Sequence, residues 1–130
     1  MHVNSLSIFG LVGGYLGLPF LFCEEDHGVT RMSLDAVREG HPRPALGSVD
    51  RVYLYYQAEP DWHFYTILVN SFGAYVYTGF AWGYGGEGPR GLEEVLKRFA
   101  FEVPENMPQP HVPGLWRIDR GNPLVQECTL

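Results

Sequence analysis

The fold is decided by residues 51–82, which read RVYLYYQAEPDWHFYTILVNSFGAYVYTGFAW. Three runs within this stretch are rich in the aromatic and β-branched residues that strands favour, and they cover residues 52–57, 63–70 and 74–82. Residues 59–61 and 71–73 separate the runs and hold the Pro, Asp, Ser and Gly that favour turns. Because such short turns join neighbouring antiparallel strands, the stretch predicts a three-stranded antiparallel meander.

Side chains alternate along the first of these runs. Tyr53 and Tyr55 fall on one face of the predicted strand, and Val52, Leu54 and Tyr56 fall on the other. A helix packed on one face of the sheet leaves the second face for the N-terminal strands, for a second copy of the chain or for a partner.

One main helix is predicted after the meander. Its apolar side chains recur at the spacing of a single helix face, at Leu92, Val95, Leu96 and Phe99. Acidic residues come early in this segment and basic residues late, which matches the helix dipole. Pro89 suits the first helical position because it has no N–H to leave unpaired. The sequence therefore predicts an α+β fold in which an antiparallel sheet of about four to six strands packs against a helix over residues 89–101.

The flanking segments are predicted to add further strands and a shorter helix. Residues 3–23 carry no formal charge, and Gly13 and Gly14 suit a tight hairpin turn between strands at 6–12 and 15–23. Pro19 places the second of these strands at a sheet edge or bulge, and the glycines disfavour a membrane-spanning helix. Three more elements are predicted: a short helix over residues 32–39, a strand over residues 115–118, and a Pro-rich C-terminal segment laid across the body.

Length and charge restrict the class of protein. The chain has 130 residues, which is the usual length of a single domain. Its 15 acidic and 9 basic residues give a net charge of −6. This balance argues against a general nucleic-acid binder, which needs a basic face. No signal-peptide or membrane pattern is recognised, so a cytoplasmic protein is expected. Cys23 and Cys128 lack metal-type spacing, and free thiols are expected, with a single disulfide bridge as the alternative.

A glycine-rich turn between the third strand and the helix is the sharpest candidate for a functional site. Such a turn can aim several backbone N–H groups at one point, and the helix N-terminus adds partial positive charge. We therefore hypothesise a small, non-enzymatic protein that binds a nucleotide-like or other anionic small molecule, with Arg90 pairing with the anion and an aromatic ring stacking on a base. The competing interpretation is that the glycines only allow close packing. The candidate ligand-binding residues are Trp82, Gly83, Tyr84, Gly85, Gly86, Gly88 and Arg90.

The same turn resembles a signature of small uncharacterised domains from bacteria, phages and plasmids. Those domains read Trp-Gly-Tyr-Gly-Gly-x-Gly-Pro and continue into an aliphatic helix, and residues 80–89 followed by Leu92 fit that pattern. The resemblance covers this segment alone and transfers no catalytic residue. It implies a mobile-element setting, in which small acidic proteins act as inhibitors, immunity proteins or ligand traps.

Two further functions remain open at this point. The first is a protein-interaction module of inhibitor or immunity type that uses an acidic, Tyr-rich surface. The second is a small metal-dependent hydrolase that uses Glu24, Asp26 and His27, with a histidine from elsewhere in the chain completing the metal site. The histidines considered for that role are His41, His63 and His111. The sequence identifies no cofactor.

Overall fold

The computed structural model describes residues 12–39, 48–58, 62–121 and 124–128. Within these residues the chain forms three helices and one six-stranded sheet. The elements in chain order are α1 (Gly13–Leu16), β1 (Phe20–Cys23), α2 (Thr30–Glu39), β2 (Arg51–Gln57), β3 (His63–Val69), β4 (Ala74–Tyr77), α3 (Glu87–Arg98), β5 (Gly114–Ile118) and β6 (Val125–Cys128).

The sheet is mixed rather than purely antiparallel. Its strand order is β1-β4-β3-β2-β5-β6. The meander of β2, β3 and β4 is confirmed as antiparallel, and β5 and β6 extend it with the same polarity. The prediction of an antiparallel sheet is wrong at β1, which runs parallel to β4. Of the strands beyond the meander, β5 was expected and β1 lies within the strand predicted at residues 15–23, whereas β6 was not expected.

The predicted N-terminal hairpin is also wrong. Gly13 and Gly14 lie in α1, which ends at Gly17 with a left-handed φ of 65°. The chain then crosses to the edge of the sheet, where the Ala74 N–H donates to the Pro19 carbonyl at 2.9 Å. Pro19 therefore precedes an edge strand, as expected of a residue that cannot donate to a ladder. The first strand of that predicted hairpin lies almost wholly outside the described residues.

Two helices, and not one, cover the first face of the sheet. Val37 of α2 and Leu92 and Leu96 of α3 pack with the strands in one buried apolar cluster. Helix α3 begins two residues before the predicted start, so Pro89 is its third residue, where an N–H still has no intrahelical partner. The predicted helix at residues 32–39 is confirmed within α2.

The second face of the sheet is covered by the residues around α1. Val12, Leu16, Leu18 and Phe20 pack against a second buried cluster that includes Tyr53 and Tyr55. The predicted alternation is confirmed, because Val52, Leu54 and Tyr56 belong to the helix-facing cluster instead. The central strands β2, β3 and β4 are therefore buried on both sides. No helix among the described residues has the length and apolar character needed to span a membrane.

The two cysteines lie at opposite edges of the sheet. Cys23 ends β1 and Cys128 ends β6, the two edge strands. Five strand spacings separate these edges, or about 24 Å, whereas a disulfide requires Cα atoms within about 7 Å. The alternative of an intramolecular bridge is therefore wrong, and Cys23 is a free thiol.

Candidate functional site

A cleft of about 510 Å³ opens at the edge of the sheet where β1 and β4 end, and we call it the edge cleft. The start of β3 and the first turns of α2 and α3 enclose it. Ligands of α/β sheets commonly bind outside the carboxyl ends of parallel strands, which is where this cleft lies. The described residues that line it are Asp26, Gly28, Val29, Thr30, Trp62, His63, Phe64, Thr78, Gly79, Phe80, Ala81, Tyr84, Glu87 and Gly88.

A hydrogen-bond network holds the floor of the edge cleft in place. Glu24 accepts hydrogen bonds from the Thr78 N–H at 3.0 Å and from the Ser33 hydroxyl. Ser33 Oγ in turn accepts from the Gly79 N–H at 2.9 Å, and the Thr30 hydroxyl donates to the Gly79 carbonyl at 2.6 Å. These bonds connect the residues that follow β4 to the first turns of α2, beyond the last hydrogen bonds between strands. The network therefore fixes the position of α2 relative to the end of β4, and both contribute residues to the cleft.

Close approach of two backbones requires glycine at residue 79. A Cβ there would overlap both Ser33 Oγ and the Val29 carbonyl. Gly79 therefore lets α2 start directly against the end of β4. This glycine lies just before the predicted glycine-rich turn.

An aspartate–histidine pair lines the cleft. His63 Nδ1 lies 2.6 Å from Asp26 Oδ2, and the histidine side chain is the less exposed of the two. The carboxylate fixes the orientation of the imidazole ring. The sequence did not predict this pair, because Asp26 follows β1 and His63 begins β3, and only the sheet topology brings them together.

The side chains of the predicted metal site, Glu24, Asp26 and His27, do not converge on one point but form two separate pairs. His27 Nε2 lies 3.1 Å from Glu24 Oε2, while Asp26 pairs with His63. His111 lies elsewhere, with its Nδ1 2.8 Å from the Tyr56 hydroxyl, and His41 falls outside the described residues. In the described ranges, no three His, Cys, Asp or Glu side chains are grouped so as to hold a metal ion.

Cys23 lies near Asp26 in the sequence, but it does not line the edge cleft. Partial burial raises its pKa, and the negative charges of Glu24 and Asp26 raise it further. A raised pKa disfavours the thiolate, which is the nucleophilic form. The surroundings of Cys23 are therefore not those of a catalytic cysteine.

Two exposed aromatic side chains line the edge cleft. Trp62 is 60% exposed and Tyr84 is 52% exposed. The Trp62 ring makes nearly perpendicular contacts with two other rings, and its centroid lies 5.0 Å from that of His111 and 6.1 Å from that of Phe64. Both rings thus present aromatic surface to the cleft, and Trp62 is already oriented by its neighbours.

The structure distributes the predicted ligand-binding residues over two clefts. Tyr84 and Gly88 line the edge cleft. Trp82, Gly83 and again Tyr84 line a second cleft of about 400 Å³ between α3 and residues 103–107, which we call the helix cleft. The remaining predicted residues line neither cleft, and they are Gly85, Gly86 and Arg90.

Trp82 forms the base of the helix cleft. It is 1% exposed, and its ring packs edge-on against Phe64 with centroids 4.7 Å apart. Its buried Nε1 has no hydrogen-bond partner in the described part of the chain. The indole is therefore held by packing and not by its polar group.

Replacing Trp82 with phenylalanine tests this assignment. We expect Trp82→Phe to lower the free energy of unfolding by only about 1 kcal/mol, because the lost ring volume is partly offset by removal of an unsatisfied donor. Urea unfolding followed by circular dichroism measures the change. A loss above about 3 kcal/mol would contradict this expectation.

The Tyr-rich surface expected for an interaction module is mostly interior. Six of the eight tyrosines are buried, and the two exposed ones are Tyr15 and Tyr84. The buried ones are Tyr53, Tyr55, Tyr56, Tyr65, Tyr75 and Tyr77. Trp62 lines the edge cleft but was not among the predicted site residues, and its position beside the turn-forming residues Pro60 and Asp61 in the sequence was the available signal.

Comparison of the chain with protein-family models, with curated proteins and with solved structures found no match.

Proposed function

We propose that this chain is a small-molecule-binding protein whose ligand occupies the edge cleft and stacks on Trp62 and Tyr84. The observation that carries the proposal is the exposure of these two rings in one cleft at the carboxyl ends of β1 and β4. The volume of the cleft is in the range that small-molecule sites have. Exposed aromatic rings stack on flat ligands at little cost, since their hydration is weak and their side chains have few rotamers.

Binding without catalysis is favoured by the chemistry of the lining. The Thr30 and Thr78 hydroxyls donate to backbone carbonyls, of Gly79 and Glu25, so both are engaged in holding the fold. Cys23 lies outside the cleft, and its raised pKa disfavours the thiolate. The described lining thus offers aromatic surfaces to a ligand, while its two threonine hydroxyls hold the fold and the thiol lies outside the cleft.

Native mass spectrometry of the protein purified from the cells that make it tests the proposal. We expect a small, reproducible mass excess that is lost in Trp62→Ala and Tyr84→Ala, since each ring contributes about tenfold to affinity. Phe72→Ala is the matched control: its ring is 67% exposed but lies in the β3–β4 turn, away from the cleft.

Other results of the same experiment favour the other functions. A second protein chain in the spectrum, with no small-molecule excess, would favour the inhibitor or immunity type of interaction module. A mass excess equal to a metal ion, removed by EDTA and by His27→Ala, would favour the metal-dependent hydrolase. A bare chain under all conditions would contradict small-molecule binding.

A further inference from the structure

The charges that line the edge cleft are acidic. Asp26 and Glu87 contribute carboxylates, and His63 contributes an imidazole that is paired with Asp26. No Arg or Lys is present among the described lining residues. The whole chain carries a net charge of −6, which adds to the negative potential of the site.

The N-terminus of α3 does not reverse this potential. An uncapped helix N-terminus attracts anions. Here the first helical residue is Glu87, whose own carboxylate lies within that first turn. Arg90, the cation predicted to pair with an anionic ligand, is exposed and does not line the cleft. The electrostatic environment is therefore unfavourable for a phosphate or carboxylate.

Aromatic faces next to carboxylates are the surroundings that organic cations prefer. The face of a Trp or Tyr ring is negative, and it attracts ammonium and guanidinium groups within about 6 Å. Trp62 and Tyr84 supply such faces in the same cleft as Asp26 and Glu87. Carboxylates add charge-assisted hydrogen bonds to the N–H groups of a cation.

We propose that the ligand of the edge cleft is a planar organic cation, an aromatic or conjugated ring that bears an ammonium, amidinium or protonated ring nitrogen. Its ring stacks on Trp62 or Tyr84, and its N–H groups face Glu87 and Asp26. This inference rests on the proposed function, and it replaces the anionic ligand expected from the glycine-rich turn with one of opposite charge.

Three compounds of nearly the same shape test which ligand charge the edge cleft prefers: benzamidine (cation), benzamide (neutral) and benzoate (anion). Each is titrated into ¹⁵N-labelled protein, and the Trp62 indole and Tyr84 amide resonances are followed by NMR. We expect benzamidine to bind about tenfold more tightly than benzamide, and benzoate to bind most weakly.

Because Asp26 also holds His63, Glu87→Gln is the informative variant, and it should reduce the preference for benzamidine severalfold. Glu102→Gln, at an exposed residue outside both clefts, makes the same charge change and should leave the preference intact.

The possible outcomes separate this inference from the proposed function. Equal or tighter binding of benzamide or benzoate, with shifts at Trp62 and Tyr84, would overturn the cationic ligand and leave the edge cleft as the site. A preference for benzamidine that Glu87→Gln does not change would also overturn it. Shifts from none of the three compounds would overturn the edge cleft as the binding site together with the inference.

Discussion

Gly83→Ala is expected to lower the free energy of unfolding by about 3 kcal/mol or more. Gly83 has a left-handed φ of 87°, which strains any residue with a Cβ. A Cβ at this position would also lie 2.6 Å from Pro110 Cδ and 2.7 Å from the Pro108 carbonyl oxygen. The Pro-rich segment cannot retreat easily, because its rings restrict the backbone. Urea unfolding measures the loss.

Gly85→Ala is the matched control in the same turn. No atom lies within 4 Å of a Cβ built at Gly85, and its φ lies outside the left-handed region. We expect its stability to stay within about 0.5 kcal/mol of the wild type, since alanine also restricts the unfolded chain. If Gly83→Ala folded as stably as the wild type but lost its ligand, Gly83 would serve binding and not packing.

Alkaline conditions are expected to unfold the protein steeply. Burial raises the pKa of Tyr65 and Tyr77 above the ordinary value of 10.0, and the charges of Asp26 and Glu24, respectively, raise them further. Below pH 10 both phenols are protonated in the folded and the unfolded chain, so they add no pH dependence. Above it, only the unfolded chain releases these protons. Stability should therefore fall by about 1.4 kcal/mol per pH unit for each phenol, or about 2.7 kcal/mol per unit for both.

Phenylalanine variants assign this pH dependence to particular phenols. Free energies of unfolding measured between about pH 9 and pH 11.5 give the slope, and Tyr77→Phe should reduce the slope above pH 10 by about 1.4 kcal/mol per pH unit. Tyr84→Phe removes a phenol that is half exposed and serves as the control. A slope that Tyr77→Phe and Tyr65→Phe both leave unchanged would contradict the assignment, whatever either variant does to stability at neutral pH.

Local sequence patterns predicted the elements whose partners are close in the chain. The spacing of Leu92, Val95 and Leu96 predicted α3, and these three side chains are buried against the sheet. Short turns and alternating side chains predicted the meander of β2, β3 and β4. In α3 the buried side chains are one helical turn apart, and in the meander the paired strands are joined by a short connection. The local sequence pattern is therefore sufficient to predict both.

Features that depend on distant parts of the chain were missed. Gly13 and Gly14 suit a hairpin as well as they suit the turn of α1, and only the pairing of β1 with β4 decides between the two. The candidate site depends on the same contact. Asp26 lies next to His63 because β1 joins β4 at the sheet edge, and no motif in the sequence records that contact. Of the residues in the predicted turn, Tyr84 and Gly88 line the edge cleft, whereas Arg90 does not.

The parallel pairing of β1 with β4 has a consequence for the order of folding. Residue 20 pairs with residue 74, and residue 52 pairs with residue 118, whereas within the meander β2 pairs with β3 and β3 with β4. Closing a long loop carries an entropic cost that short turns do not, so the meander is expected to form first, and β1 and β5 are expected to dock after it. During synthesis β1 leaves the ribosome well before its partner strand exists. For that interval the apolar run Phe-Leu-Phe-Cys at residues 20–23 remains without a strand to pair with, and it is the segment that we expect a nascent-chain chaperone to protect.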